Sequence, residues 1–236
     1  MFNFKIKFIP RNHESFLKFP EPKPAKKYFP KWLKEMPNIQ YLGDRQTFTA
    51  TRCVPFTDSF FNGYIQELSC DVKVINLGNF NGVDDIRYEW NGEFKPIEIR
   101  HIQDGGFPNL IPDFEGYYNA DAQWTTYWEP KTPKGYSTVY HHPSNRFDLP
   151  FHTMTGIIDT DKHYLHGPIP FLIKKGFEGV IPAGTPIYQM TFIKRNKWHS
   201  IKKKYNHKKN ILERYQIKKN ISEGYRKLRW VKKIYE

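Results

Sequence analysis

The chain has 236 residues, 17% of them aromatic, with 18 prolines, 15 glycines and two cysteines. That length can bury a substantial core, while the proline and glycine content excludes long helices over most of it. No apolar run reaches the ~18 residues that span a membrane, and two lone cysteines, Cys53 and Cys70, exclude a disulfide framework.

The formal charge of +13 is held unevenly: 16 of the 37 cations but only 3 of the 24 acids fall in residues 194–236, leaving 21 of each sign in 1–193. A uniformly basic nucleic-acid coat is thereby excluded. The pattern is that of a neutral body with one cationic appendage.

Phe2, Phe4, Ile6 and Phe8 alternate with Asn3, Lys5 and Lys7, which predicts a first strand and no cleaved leader. With reduced cysteines, this points to an intracellular setting: a host cytoplasm, or a virion if the chain is phage-encoded. Pro20, Pro22, Pro24, Pro30 and Pro37 then mark a proline-rich arm, which together with the first strand fills residues 1–45. Within it Pro30 can open a single helical turn over 31–36. Tyr28, Phe29 and Trp32 either pack on a partner or fold back over the body.

Residues 46–197 read as a β domain. Strand candidates are TFTATRCV, YIQELSC, VKVINL, IRYEW, IEIRHI, AQWTTYWE, YSTVYHH, TGIID, IPFLIK and PIYQMTFIK, broken at NFNG and WNGEF by Asn-Gly steps suited to tight hairpins. Short strands at this spacing without alternating helices predict a mainly β fold, an antiparallel sandwich or jelly-roll-like barrel. Residues 198–236 form the third segment. Ile217, Ile221, Tyr225, Leu228, Val231 and Tyr235 recur every three or four positions among lysines and arginines, predicting a basic amphipathic helix weakened by Gly224. Its cations include Lys202, Lys203, Lys204, Lys208, Lys209, Lys218, Lys219, Arg226, Lys227, Arg229, Lys232 and Lys233. They predict contact with nucleic acid or with an acidic protein.

One stretch carries a resemblance. Gly156-Ile157-Ile158-Asp159-Thr160-Asp161, then Tyr164, and later IPAGTPIYQMTFIKR with Gly184, Ile187 and Gln189, together with HHPSNR upstream, resemble the trimeric dUTPase and dCTP deaminase superfamily over residues 136–195. The stretch HPSNRFDLPFHTMTGIIDTD also resembles an uncharacterised phage and bacterial family. The first resemblance implies a dUTPase-like barrel and a trimer. It also implies a hydrolase in which Asp159 is the general base with Mg²⁺, Tyr164 a platform under base and sugar, Ser144 and Gln189 phosphate contacts, and Arg146 a charged fork.

The sequence departs from that pattern at chemically necessary places. Lys162 and His163 separate Asp161 from Tyr164, no Gly-rich arm closes the C-terminus, and GPIPFLIKK carries no acid. His141, His142, His152, His163 and His166 cluster with Asp148, Asp159 and Asp161 but lack the His-x-His or His-x-Asp spacing that puts two metal ligands on one strand face. No metal or other cofactor is therefore expected outside the hydrolase reading. The favoured reading is a non-catalytic binding or assembly protein of phage type whose basic tail makes the contacts. The alternative is a dUTPase-like nucleotide hydrolase built on Asp159.

Overall fold

The computed structural model describes residues 4–80, 83–93, 95–99, 112–118, 122–163, 167–219 and 224–236, with the side chains of 15–17, 80 and 83 left aside. The N-terminal part contains β1 (Lys7–Pro10), α1 (His13–Lys18), β2 (Lys23–Pro24), α2 (Lys31–Glu35), the hairpin β3 (Ile39–Leu42) and β4 (Arg45–Phe48), and α3 (Val54–Ser59). The body follows with β5 (Tyr64–Glu67), β6 (Val72–Phe80), β7 (Val83–Trp90), β8 (Ile97–Ile99), β9 (Ala122–Trp124) and β10 (Trp128–Lys131). It ends with β11 (Tyr136–His141), β12 (Phe151–Thr153), β13 (Gly156–Ile158), β14 (Ile169–Ile173), β15 (Gly179–Ile181) and β16 (Pro186–Lys194). Two short helices close the chain, α4 (His207–Lys219) and α5 (Gly224–Leu228).

The fold is mainly β and antiparallel, as expected. The largest sheet has the order β13-β11-β16-β5-β2, a second β12-β14-β9-β8 and a third β15-β6-β7, with β1-β10 and β3-β4 as two-stranded ribbons. Among the described residues no sheet closes on itself. The three larger sheets share one core in which Trp124 stacks on Phe171 at 3.7 Å and Phe151 meets both edge-on. Its rings are held by polar ties as well: Trp124 Nε1 donates to Thr153 Oγ1 (3.0 Å), which donates to the Ile187 carbonyl (2.5 Å). β16 is buried from Pro186 through Met190, because it pairs with β11 on one side and β5 on the other and both its faces are covered.

Two local expectations change, and one open alternative resolves. TFTATRCV is a strand only to Phe48; a 3₁₀ turn (Ala50–Arg52) and α3 follow. Pro55, which has no N–H to lose, fits the first turn of a helix and would interrupt a strand ladder. The proline arm folds back on its own body: Phe29 stacks on Phe61 and meets Phe60 edge-on, Trp32 packs on Phe56 and Phe60, and Tyr28 donates to Glu67. The predicted turn after Pro30 is α2. Finally, the tail has two packed helices where one continuous helix was expected. Gly224 lies so close to the Ile217 carbonyl that a Cβ would sit 2.2 Å from its oxygen, and Arg229 reaches Glu213 at 3.6 Å.

Candidate functional site

The residues singled out by the resemblance fall into two groups within the chain. At one end of β11, the Ser137 hydroxyl donates to Asp159 Oδ1 (2.7 Å), which also takes the Arg195 guanidinium at 3.0 Å. Arg195 bonds Asp161 Oδ2 as well, where the Gly135 N–H donates at 2.8 Å. It donates further to the Tyr136 carbonyl and to Ser137 Oγ, each at 2.9 Å. The Asp159 side chain is 48% exposed and that of Asp161 only 5%. Arg195, and next the Gly135 N–H, hold Asp161 down to about 2. Asp159 thus stands in an arginine-centred clasp that engages its Oδ1.

At the other end stand Ser144, Arg146 and Gln189. Ser137 pairs with Ile193 and His141 with Gln189, so the two groups lie about four residues, or ~13 Å, apart along the strand. The Gln189 carboxamide is buried and fully used: Oε1 accepts the Ser144 N–H (2.9 Å), and Nε2 donates to the carbonyls of Ser59 (3.1 Å) and Asn62 (2.5 Å). Arg146 forms a bidentate pair with Asp148. The Gln189 amide therefore has no N–H left for a phosphate, and Arg146 has Nε and Nη2 committed to Asp148. Tyr164, the expected platform, lies outside the described residues.

The neighbouring histidines are satisfied locally. His142 Nε2 faces the Arg146 carbonyl (3.0 Å) and Nδ1 faces the Thr153 N–H (3.2 Å), which fixes a neutral ring with the proton on Nε2. Burial above all, with Lys174, Arg146 and the stacked His152 adding to it, pushes His142 down to about 4. Among the described residues no three His, Cys, Asp or Glu side chains gather as a metal would require.

The basic segment gives a different picture. Lys202, Lys203, Lys204, Lys208, Lys209, Lys218 and Lys219 are exposed on and before α4, beside exposed Trp198, Tyr205 and Tyr215. The end of the chain returns to the body. Trp230 Nε1 and Lys233 Nζ both donate to Asp58 Oδ2 (2.7 and 2.6 Å), Tyr235 Oη donates to Asn62 Oδ1, and Tyr64 Oη donates to the Glu236 carbonyl (2.6 Å). Arg229, Lys233 and Arg226 therefore differ from the free cations expected: the first two are ion-paired, and Arg226 lies over the Trp230 ring at 5.4 Å.

Between this returning segment and α3 opens a cleft of about 710 Å³. Lys26, Arg52, Arg226, Lys232 and Lys233 line it against the acids Asp58 and Glu236, and Phe29, Phe61, Trp230 and Tyr235 supply its apolar walls. The turn that forms its floor, residues 58–62, is tied from below by Gln189 and by Asn145, which donates to Ser59 Oγ at 2.8 Å. The sequence pointed to Gln189 as a phosphate contact, whereas its amide holds the backbone of Ser59, Asn62 and Ser144. Arg195, Ser137 and the cleft were not anticipated. Trp230 and Tyr235, two polar-tipped rings inside a lysine run, were the available signal for a docked tail end.

No helix among the described residues is long and apolar enough to cross a membrane. Comparison with protein-family models, curated proteins and solved structures returns no match for this chain.

Proposed function

We propose that this chain is a non-catalytic binding protein, with an antiparallel jelly-roll-like body as scaffold and the basic C-terminal segment as the contact to nucleic acid. The observation that carries the reading is the run of exposed lysines from Lys202 to Lys219 interleaved with exposed aromatic rings. Lysines at that density neutralise phosphates and release counterions, and the rings offer faces for bases. The internal engagement of Asp159, Arg146 and Gln189 supports a scaffold over a hydrolase.

Fluorescence anisotropy with labelled DNA and RNA tests this. Binding is expected to weaken steeply with salt. Replacing Lys202, Lys203, Lys204, Lys208 and Lys209 together by Gln should flatten the slope of log K against log[salt] by about 3–5. Unchanged affinity and slope in that variant would overturn the proposal. Any change in melting temperature caused by a deoxynucleoside triphosphate with Mg²⁺ is expected to be the same in the parent and in Asp159→Asn; a rise that disappears in Asp159→Asn would restore the hydrolase.

A further inference from the structure

The cleft under the C-terminal segment is not needed for a lysine-rich tail to hold a polyanion, yet its chemistry continues that of the tail. Five cations face two acids, and one of those acids, Asp58, is already used by Trp230 and Lys233. Half-buried rings stand between the cations. Phe61 lies parallel to Phe29 at 5.2 Å, and Arg226 and Lys233 lie over the Trp230 ring, at 5.4 and 5.8 Å from its centroid. Such a surface suits an aromatic ring attached to a phosphate. A duplex presents phosphates outward and keeps its bases stacked inside, so it can meet the lysines but not the rings.

From this we infer that the cleft seats unpaired nucleotides, and that the nucleic acid held by the basic segment is single-stranded. The inference rests on the reading of the tail as a nucleic-acid contact. Phosphates lie against Lys26 and Arg52 on the body wall and Lys232 on the facing wall, while a base stacks on the rings between. α5 packs on α4 and its Arg226 lines the cleft, so one strand can run along both. Gln189 has no contact with the ligand in this scheme; it is a positioning residue for the 58–62 floor.

The test compares a single-stranded oligonucleotide, a duplex of equal length and an abasic single strand of the same phosphate number. Each is titrated against the intact protein, the Lys26→Gln/Arg52→Gln variant and a Lys232→Gln variant. The single strand is expected to bind about tenfold tighter or more than the other two ligands. Either cleft variant is expected to remove that preference and leave duplex binding nearly unchanged. Using one variant from each wall guards against a folding defect in either, checked by an unchanged melting temperature. Equal binding of single strand, duplex and abasic strand, or an intact preference in both variants, overturns the cleft while leaving the tail as a polyanion contact. Loss of all three ligands only in the five-lysine variant, with no cleft effect, has the same meaning. No binding of any ligand by the intact protein removes both readings.

Discussion

Arg195 stands where the last strand gives way to the basic segment, and its guanidinium joins Asp159, Asp161, the Tyr136 carbonyl and the Ser137 hydroxyl. Asp161 is held near 2 against an ordinary 3.9, so its contribution to stability is complete above about pH 4 and is lost as pH falls toward 2. Arg195→Met should lower the urea midpoint at neutral pH and shrink the further loss between pH 4 and 2, as read from unfolding curves across that range. His142 has the same sign, because its folded value is lowered too, but it acts in a higher pH window. Folded, it stays neutral to about 4, whereas unfolded it protonates near 6.5. Its contribution is whole above about 6.5 and falls, by on the order of 2–3 kcal/mol, as pH drops from 6.5 to 4. His142→Gln should flatten that part of the pH–stability curve; a curve unchanged from the parent would contradict a buried neutral ring. The importance of Asp159, Asp161 and Gln189 was legible in the sequence because small motifs surround them. Their partners were not, since Arg195 and Ser59 come from segments whose approach is decided by sheet pairing.

At the scale of elements, two glycines mark where backbones touch. Gly63 has φ of +78°, and a Cβ there would sit 1.9 Å from the Met190 carbonyl oxygen, at the point where β5 meets β16 and the cleft floor ends. Gly63→Ala combines a left-handed backbone with a main-chain collision and should cost more than about 2 kcal/mol, measured by urea unfolding. Gly224→Ala should act locally instead, speeding amide exchange in α5 while the melting temperature of the body stays put. Strands from β5 to β16 were largely legible from alternation, as in the β6–β7 pair with its Asn79↔Asp84 register. The hairpin expected at WNGEF does not form, because β7 pairs with β6 while β8 pairs with β9 in another sheet. AQWTTYWE is divided between β9 and β10, and the NFNG turn at 81–82 lies outside the described residues. The short strands β12 and β15 escaped, since three residues are too few to show a period. The helical pair α4 and α5 escaped because continuous spacing of apolar residues cannot reveal a chain reversal.

Across the whole molecule, charge and fold divide the work. The body carries 21 cations and 21 acids, and the excess of 13 cations sits in the last 43 residues. Composition alone made that division legible, but the docking of the final residues through Trp230, Lys233 and Tyr235 required the fold. The consequence is a basic surface anchored at both ends: Arg195 fixes its start, and Asp58 and Asn62 fix its finish. Anchoring lowers the conformational entropy lost on binding, so the strand proposed to lie along α4 and into the cleft would meet cations already placed for it. Amide hydrogen exchange of the intact protein, with and without a short single-stranded oligonucleotide at low salt, tests this most directly. Slower exchange is predicted over 202–219, 226–236 and the facing residues 50–61, with no change over 135–146 and 156–163. Protection confined to the strands around Asp159 and Ser144, with the basic segment unaltered, would contradict the account.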